Sequence, residues 1–196
     1  MVHENITNII FELYKSSRTV FRMTDIAMIL GAEKAKNLRK KLNYYVSNGK
    51  LLNPRKCFYA KEGYKREELA CLLYPPTYIS LEYVLQRSGV IFQYDSAITN
   101  VSYLCRETEI DNQIFRYRQM KGEILVNTAG ILLNRDNINI ATPERAFLDM
   151  VYLNSRYYFD NLHILDKKKV AALLPVYDSQ ALEKRVKKLF ENDKYR

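Results

Sequence analysis

Residues 23–60, MTDIAMILGAEKAKNLRKKLNYYVSNGKLLNPRKCFYA, carry the pattern that decides the fold of the first third of this 196-residue chain. Thr24 is a suitable N-cap for a short helix over residues 25–30, and Gly31 supplies its stop. The spacing predicts a longer helix over residues 33–47, because Ala35, Leu38, Leu42, Tyr45 and Val46 form one apolar stripe at helical intervals. Asn48-Gly49 ends it, since glycine adopts the left-handed conformation without steric cost. Leu51-Leu52 and residues 57–60 read as two short strands around a turn made of Asn53, Pro54, Arg55 and Lys56. Upstream, Ile6, Ile9, Ile10 and Leu13 give a helix over residues 5–14. Helix, short helix, glycine turn, long helix and basic hairpin is the element order of a winged helix-turn-helix.

What the long helix turns outward gives the pattern its chemistry. With Leu38 at the centre of the buried stripe, a rotation of about 100° per residue puts Lys36, Asn37, Lys40, Asn43 and Tyr44 on the opposite face. Lys34, Arg39 and Lys41 fall on the flanks. In a helix-turn-helix the second helix of the motif enters the major groove. There Asn reads adenine and Lys reaches guanine acceptors, while flanking Arg and Lys pair with phosphates and set the register. Lys36, Asn37, Lys40 and Tyr44 are therefore expected to face bases. Lys34, Arg39, Lys41, Arg55 and Lys56 are expected to hold phosphates, the last two from the hairpin tip.

Charge is distributed in the same sense. The formal net charge is +9, and residues 1–66 alone hold 14 Lys+Arg against 5 Asp+Glu. Residues 67–166 are acidic, with 8 against 13, and residues 167–196 are basic again, with 9 against 4. A localised basic excess is the electrostatic footprint of a nucleic-acid-binding module. A solvated basic surface is the alternative, and it accounts for any single lysine. It accounts less well for basic groups at the two places a winged helix uses.

Tyr74-Pro75-Pro76-Thr77 breaks the chain after a short linker helix, and a second domain is expected from residue 75 to 196, with 67–74 as the linker. Ser80 is placed to cap a helix running to Ser88, with Gly89 as its end. Strands are predicted over residues 97–104, 113–120, 124–126 with 131–133, and 138–140. Phe115 and Tyr117 alternate with Arg116 and Arg118, as in a sheet with one covered face. In Thr142-Pro143-Glu144, Thr142 is the N-cap, Pro143 fits the first helical position, and Glu144 suits the positive helix end. Phe147, Met150 and Val151 make the buried face of that helix, and Arg145 and Asp149, four apart, are expected to pair on its surface. In the helical C-terminal tail, Asp166 and Asp178 are read as caps. Leu182, Val186, Leu189 and Phe190 form the apolar stripe of the last helix, and Lys184, Arg185, Lys187 and Lys188 lie around it.

Several chemistries lose ground. Cys57, Cys71 and Cys105 are too few and too widely spaced for a disulfide framework. With only His3 and His163 beside them they make no tetrahedral zinc site, and neither histidine stands near a serine or cysteine it would activate. No glycine-rich phosphate loop is present. Glu107, Glu109, Asp111 and Glu123 offer acids, but none is followed by the lysine of a metal nuclease strand. No catalytic residue, metal or cofactor is expected, and the chain is read as a non-enzyme. No run reaches eighteen apolar residues and the first residues lack a signal-peptide pattern, so a cytoplasmic chain away from the membrane is expected.

Three stretches in order resemble the AbiEi family, the antitoxins of type IV toxin–antitoxin pairs in bacterial phage defence. They are MTDIAMILG with NLRKKLNYYVSNGKL, PPTYISLEYVLQRSGVI, and ATPERAFLDMVYL, which is similar to the family's Pro-Glu-Arg-Ala-x-x-Asp stretch. Together they span most of residues 5–155. The resemblance implies a transcriptional regulator whose DNA-binding head represses its own promoter at inverted repeats. It also implies a second domain that counters a co-encoded nucleotidyltransferase toxin, often without a stable complex.

The reading is therefore a mixed α/β (α+β) chain: a winged helix-turn-helix at 1–66, then a mixed α/β domain with a helical tail. The expected partner is double-stranded DNA. The alternative is a winged-helix regulator whose second domain senses a ligand or dimerises.

Overall fold

A computed structural model describes residues 2–31, 37–133 and 138–193. Two apolar clusters organise them. In the first, Ile9 and Leu13 of α1 (Val2–Lys15) meet Ile26 and Leu30 of α2 (Met23–Leu30) and Leu38, Leu42 and Tyr45 of α3 (Leu38–Ser47). Phe21, Leu51 and Tyr59 close this core from an antiparallel sheet. Its strands are β1 (Val20–Arg22), β2 (Leu52–Arg55) and β3 (Phe58–Ala60), in the order β1-β3-β2.

Each difference from the sequence reading has a physical cause. Residues 20–22 have only three positions in which to show alternation, and their pairing partner β3 lies far along the chain, so β1 was not anticipated. The Asn53 side-chain amide donates to the carbonyls of Arg55 and Phe58, at 3.0 and 2.6 Å, which draws residues 53–55 into β2. The turn therefore falls at Lys56-Cys57, with Cys57 at φ +68°. At the start of α2, the Arg22 N–H donates to Asp25 Oδ2 at 3.2 Å, so Asp25 does the capping and Thr24 lies inside the helix. Gly31 closes α2 at φ +78°, as expected.

The second, larger cluster surrounds a six-stranded mixed sheet. The short helix expected near residues 67–73 is α4 (Arg66–Leu73), but it is no linker: Leu69, Ala70, Cys71 and Leu73 are buried in this cluster. The remaining strands are β4 (Thr77–Ile79), β5 (Ile98–Ser102), β6 (Arg106–Ile110), β7 (Gln113–Gln119), β8 (Ile131–Leu133) and β9 (Asn139–Ala141). They stand in the order β6-β7-β5-β4-β9-β8. Pairs β5–β7 and β4–β9 are parallel, and the others are antiparallel. Phe115 and Tyr117 are buried on one face of β7 while Arg116 and Arg118 stay half-exposed, as their alternation predicts.

Helices cover this sheet. α5 (Glu82–Arg87) follows β4, with Leu81, not Ser80, as the residue before its first turn. Residues 124–126, expected as a strand, belong to α6 (Gly122–Val126). α7 (Pro143–Leu153) is capped by Thr142, whose hydroxyl accepts from the Arg145 N–H at 3.3 Å. α8 (Lys167–Leu173) starts from Asp166, which accepts from the Lys168 and Lys169 amides. A 3-10 turn at Leu174–Tyr177 leads to α9 (Gln180–Asp193). Ser179 caps α9 by accepting from the Leu182 N–H at 3.3 Å, because Asp178 is held in a left-handed conformation at φ +42°. Leu182 and Val186 dock α9 on the body.

The two clusters are stapled together. Glu68 of α4 is almost fully buried, and its Oε2 accepts from the Thr19 N–H at 2.8 Å and the Thr19 hydroxyl at 2.6 Å. Arg18 stands 3.7 Å from the other carboxylate oxygen. Arg22 donates to the Leu72 carbonyl. Among the described residues no helix is long and apolar enough to cross a membrane.

Candidate nucleic-acid interface

α3 is built so that one side is core and the other is cationic. Leu38, Leu42 and Tyr45 are buried, while Arg39, Lys40 and Tyr44 are exposed and Lys41 is half-exposed. The helix contains no acidic residue. A cluster of like charges repels itself, and an anionic partner relieves that repulsion. Tyr44 turns about half of its surface to solvent and meets the Tyr45 ring edge-on at 5.9 Å.

Asn37 is exposed but stands before the helix, not on its face. It adopts a left-handed conformation at φ +60°, and its carbonyl accepts the Lys41 N–H at 3.2 Å. The helical wheel that placed it beside Lys40 therefore does not apply to it. The expected start of the helix at residue 33, together with Lys34 and Lys36, lies outside the described residues.

The hairpin divides its two basic residues. Lys56 is exposed in the turn. Arg55 is half-buried: its Nη1 donates to the Tyr74 hydroxyl at 2.9 Å, and its guanidinium lies 5.3 Å from the centre of the Tyr74 ring. Arg106 of β6 approaches the same hydroxyl from the other body at 3.3 Å. Arg55 is therefore docked against the second body and does not project freely. Burial by itself raises the Tyr74 hydroxyl pKa, but the hydrogen bonds from Arg106 and Arg55 and their charges hold it below the usual tyrosine value. Sequence reading missed Tyr74 and Arg106, which lie 19 and 51 positions beyond Arg55 and carry no pattern linking them to it.

The second body holds a different polar constellation. Arg145 and Asp149 do pair, at 3.3 Å, but both are completely buried, which corrects the expected surface pair. Asp149 also accepts from the hydroxyls of Tyr177 (2.6 Å), Ser80 (2.7 Å) and Tyr78 (3.2 Å). Arg145 donates to the Ile124 and Ala129 carbonyls, both at 2.8 Å, and to the Tyr78 hydroxyl at 3.1 Å. Every charged atom is matched, so this is a structural knot joining β4, α6, α7 and the 3-10 turn.

An open cleft of about 780 Å³ lies between the start of α4, α5 and the β6–β7 hairpin. Tyr64, Arg66, Tyr83, Arg87, Tyr94 and Gln113 are among its walls. Arg87 stacks over the Tyr83 ring at 4.1 Å, and Tyr94 is 80% exposed at the rim.

The chain matches no model of a known protein family, and no curated protein matches it. The case for function therefore rests on the geometry and on the sequence itself. Among the described residues no group of three or more His, Cys, Asp and Glu side chains is placed to hold a metal ion.

Proposed function

We propose that residues 1–66 are a winged helix-turn-helix that binds double-stranded DNA sequence-specifically. On this reading the protein represses its own promoter, as the antitoxin of a type IV abortive-infection pair with a co-encoded nucleotidyltransferase toxin. The observation that carries the DNA-binding part is α3, a helix without acids that turns Arg39, Lys40 and Tyr44 to solvent over a buried Leu38–Leu42–Tyr45 stripe. The order α1-β1-α2-α3-β2-β3, with an antiparallel sheet beside the helices, supports the winged helix. Lys40 and Tyr44 face bases, and Arg39, Lys41 and Lys56 hold phosphates. The antitoxin part rests on the AbiEi resemblance of residues 5–155. The protein acts by binding, in the cytoplasm, without a cofactor.

The test is binding to DNA from upstream of its own gene against a shuffled duplex over a salt series. An Arg39→Ala/Lys40→Ala variant runs beside the wild type. A preference of about a hundredfold or more that the variant loses is the expected result. Equal binding of both duplexes by the wild type, with only a salt slope, rejects operator recognition. The 780 Å³ cleft favours a second reading, a winged-helix regulator whose second body senses a ligand. Unchanged growth inhibition by the toxin when the antitoxin is co-expressed would favour that reading.

A further inference from the structure

Arg55 and Arg106 come from different bodies and converge on one oxygen atom. Both donate through Nη1 to the Tyr74 hydroxyl, at 2.9 and 3.3 Å, and both lie over the Tyr74 ring, at 5.3 and 5.4 Å from its centre. Among the described residues neither has a carboxylate within ion-pair distance. The nearest acid in sequence, Glu107, turns instead to Arg116 at 2.8 Å. Among the described residues, two guanidinium groups are thus held together on one hydroxyl with no carboxylate beside them. The two like charges repel each other, and an anion between them relieves that repulsion. Each guanidinium carries five N–H donors in a planar fork, so one bond to Tyr74 leaves donors for a tetrahedral oxyanion.

The location narrows the ligand. Arg55 ends β2, beside the exposed Lys56. The turn that follows packs on the start of α2, where the Met23 N–H donates to the Cys57 carbonyl at 2.9 Å. In a helix-turn-helix the first helix of the motif crosses the DNA backbone. Arg106 sits on β6, the edge strand of the large sheet, opposite Tyr117, whose ring meets Tyr74 edge-on at 4.8 Å. The aromatic pair fixes Tyr74, and Tyr74 fixes the two arginines.

We propose that Arg55, Tyr74 and Arg106 form a phosphate clamp that grips the DNA backbone from both bodies at once. The ligand assignment rests on the DNA-binding reading, and the clamp itself rests on the convergence of the two arginines. When phosphate enters, the hairpin and the edge of the large sheet are bridged by one anion. The second body then contributes directly to DNA affinity and fixes the angle of the head.

Arg106→Gln tests this, since Arg106 is exposed and its replacement leaves both cores intact. Duplex binding is measured over a salt series for the wild type, Arg106→Gln and Arg39→Ala/Lys40→Ala. Arg106→Gln is expected to weaken all sequences alike, about three- to tenfold, and to lower the salt slope by about 0.9, the value of one phosphate contact. The α3 variant should instead lose sequence preference. Wild-type slope and affinity in Arg106→Gln overturn the clamp and leave the head's DNA binding standing. Should the wild type bind no duplex, the DNA reading fails, and inorganic phosphate then decides on the clamp. Saturable shifts of the Arg55 and Arg106 Nε–H signals that Arg106→Gln abolishes in Arg55 support it, and unmoved signals overturn it.

Discussion

Among the described residues Arg145 is the bulkiest side chain with no exposed surface, and its burial is tolerated only because Asp149, Tyr78 and two carbonyls match it. Removing one partner of a buried pair leaves the other charge stranded, so Arg145→Ala should cost about 3–5 kcal/mol in urea unfolding. The Arg145→Ala/Asp149→Ala double variant should lose less than the sum of the single changes. Cys71 makes a pH prediction. Burial, the largest cause, pushes its thiol from 9.0 to about 12. The folded chain keeps that proton while the unfolded chain releases it, so stability falls as pH rises from about 9 towards 12. Buried Tyr78 and Tyr117 are raised too and act in the same direction. The urea midpoint should therefore drop on the alkaline side. In native protein, a thiol reagent should label the exposed Cys57 and Cys105 well before Cys71.

At the scale of elements, α3 separates stability from binding. Leu42 is fully buried at its centre, and Leu42→Ala should cost about 2–5 kcal/mol. Lys40→Ala, on the opposite side, should stay within about 0.5 kcal/mol while weakening DNA binding. Denaturation and duplex binding of the same two variants check both statements. Helix starts set by neighbouring residues were legible: Thr142 before Pro143 and Asp166 before Lys167 cap α7 and α8 as their local chemistry dictates. α9 starts one residue later than its local sequence implies, because Asp178 takes a left-handed backbone that only its surroundings impose. β1 and β4 are not legible, since their partners lie elsewhere in the chain, whereas the equally short β3, β8 and β9 fall in predicted strands. Residues 124–126 are apolar enough for a strand and too few to show a helical period, and they fold as the end of α6.

At the scale of the molecule, Glu68 joins the head to the body. Its carboxylate is the partner of both the Thr19 amide and the Thr19 hydroxyl. Glu68→Ala should leave that half-buried amide without its acceptor and lower stability by about 1–3 kcal/mol. Hydrogen exchange should quicken at Thr19 and at Lys61, whose amide bonds to the Thr19 carbonyl. Exchange unchanged at both would show that the two cores hold each other without this carboxylate.

The sequence by itself determined the α+β class, the apolar stripe of α3, the outward residues Lys40 and Tyr44, and the caps of α7 and α8. These depend on spacing and on neighbours within a turn or two, where periodicity and capping operate. Only the tertiary structure decided that Arg145 and Asp149 are buried, that residues 67–73 are core helix, and that Arg55 meets Arg106 at Tyr74. Arg55, Tyr74 and Arg106 lie far apart in the chain, and for the others burial is a property of what packs over a group. A charged pair four residues apart has the same spacing in water as in a core, and the covering hydroxyls of Tyr78, Ser80 and Tyr177 arrive only when the sheet, α7 and the 3-10 turn close together.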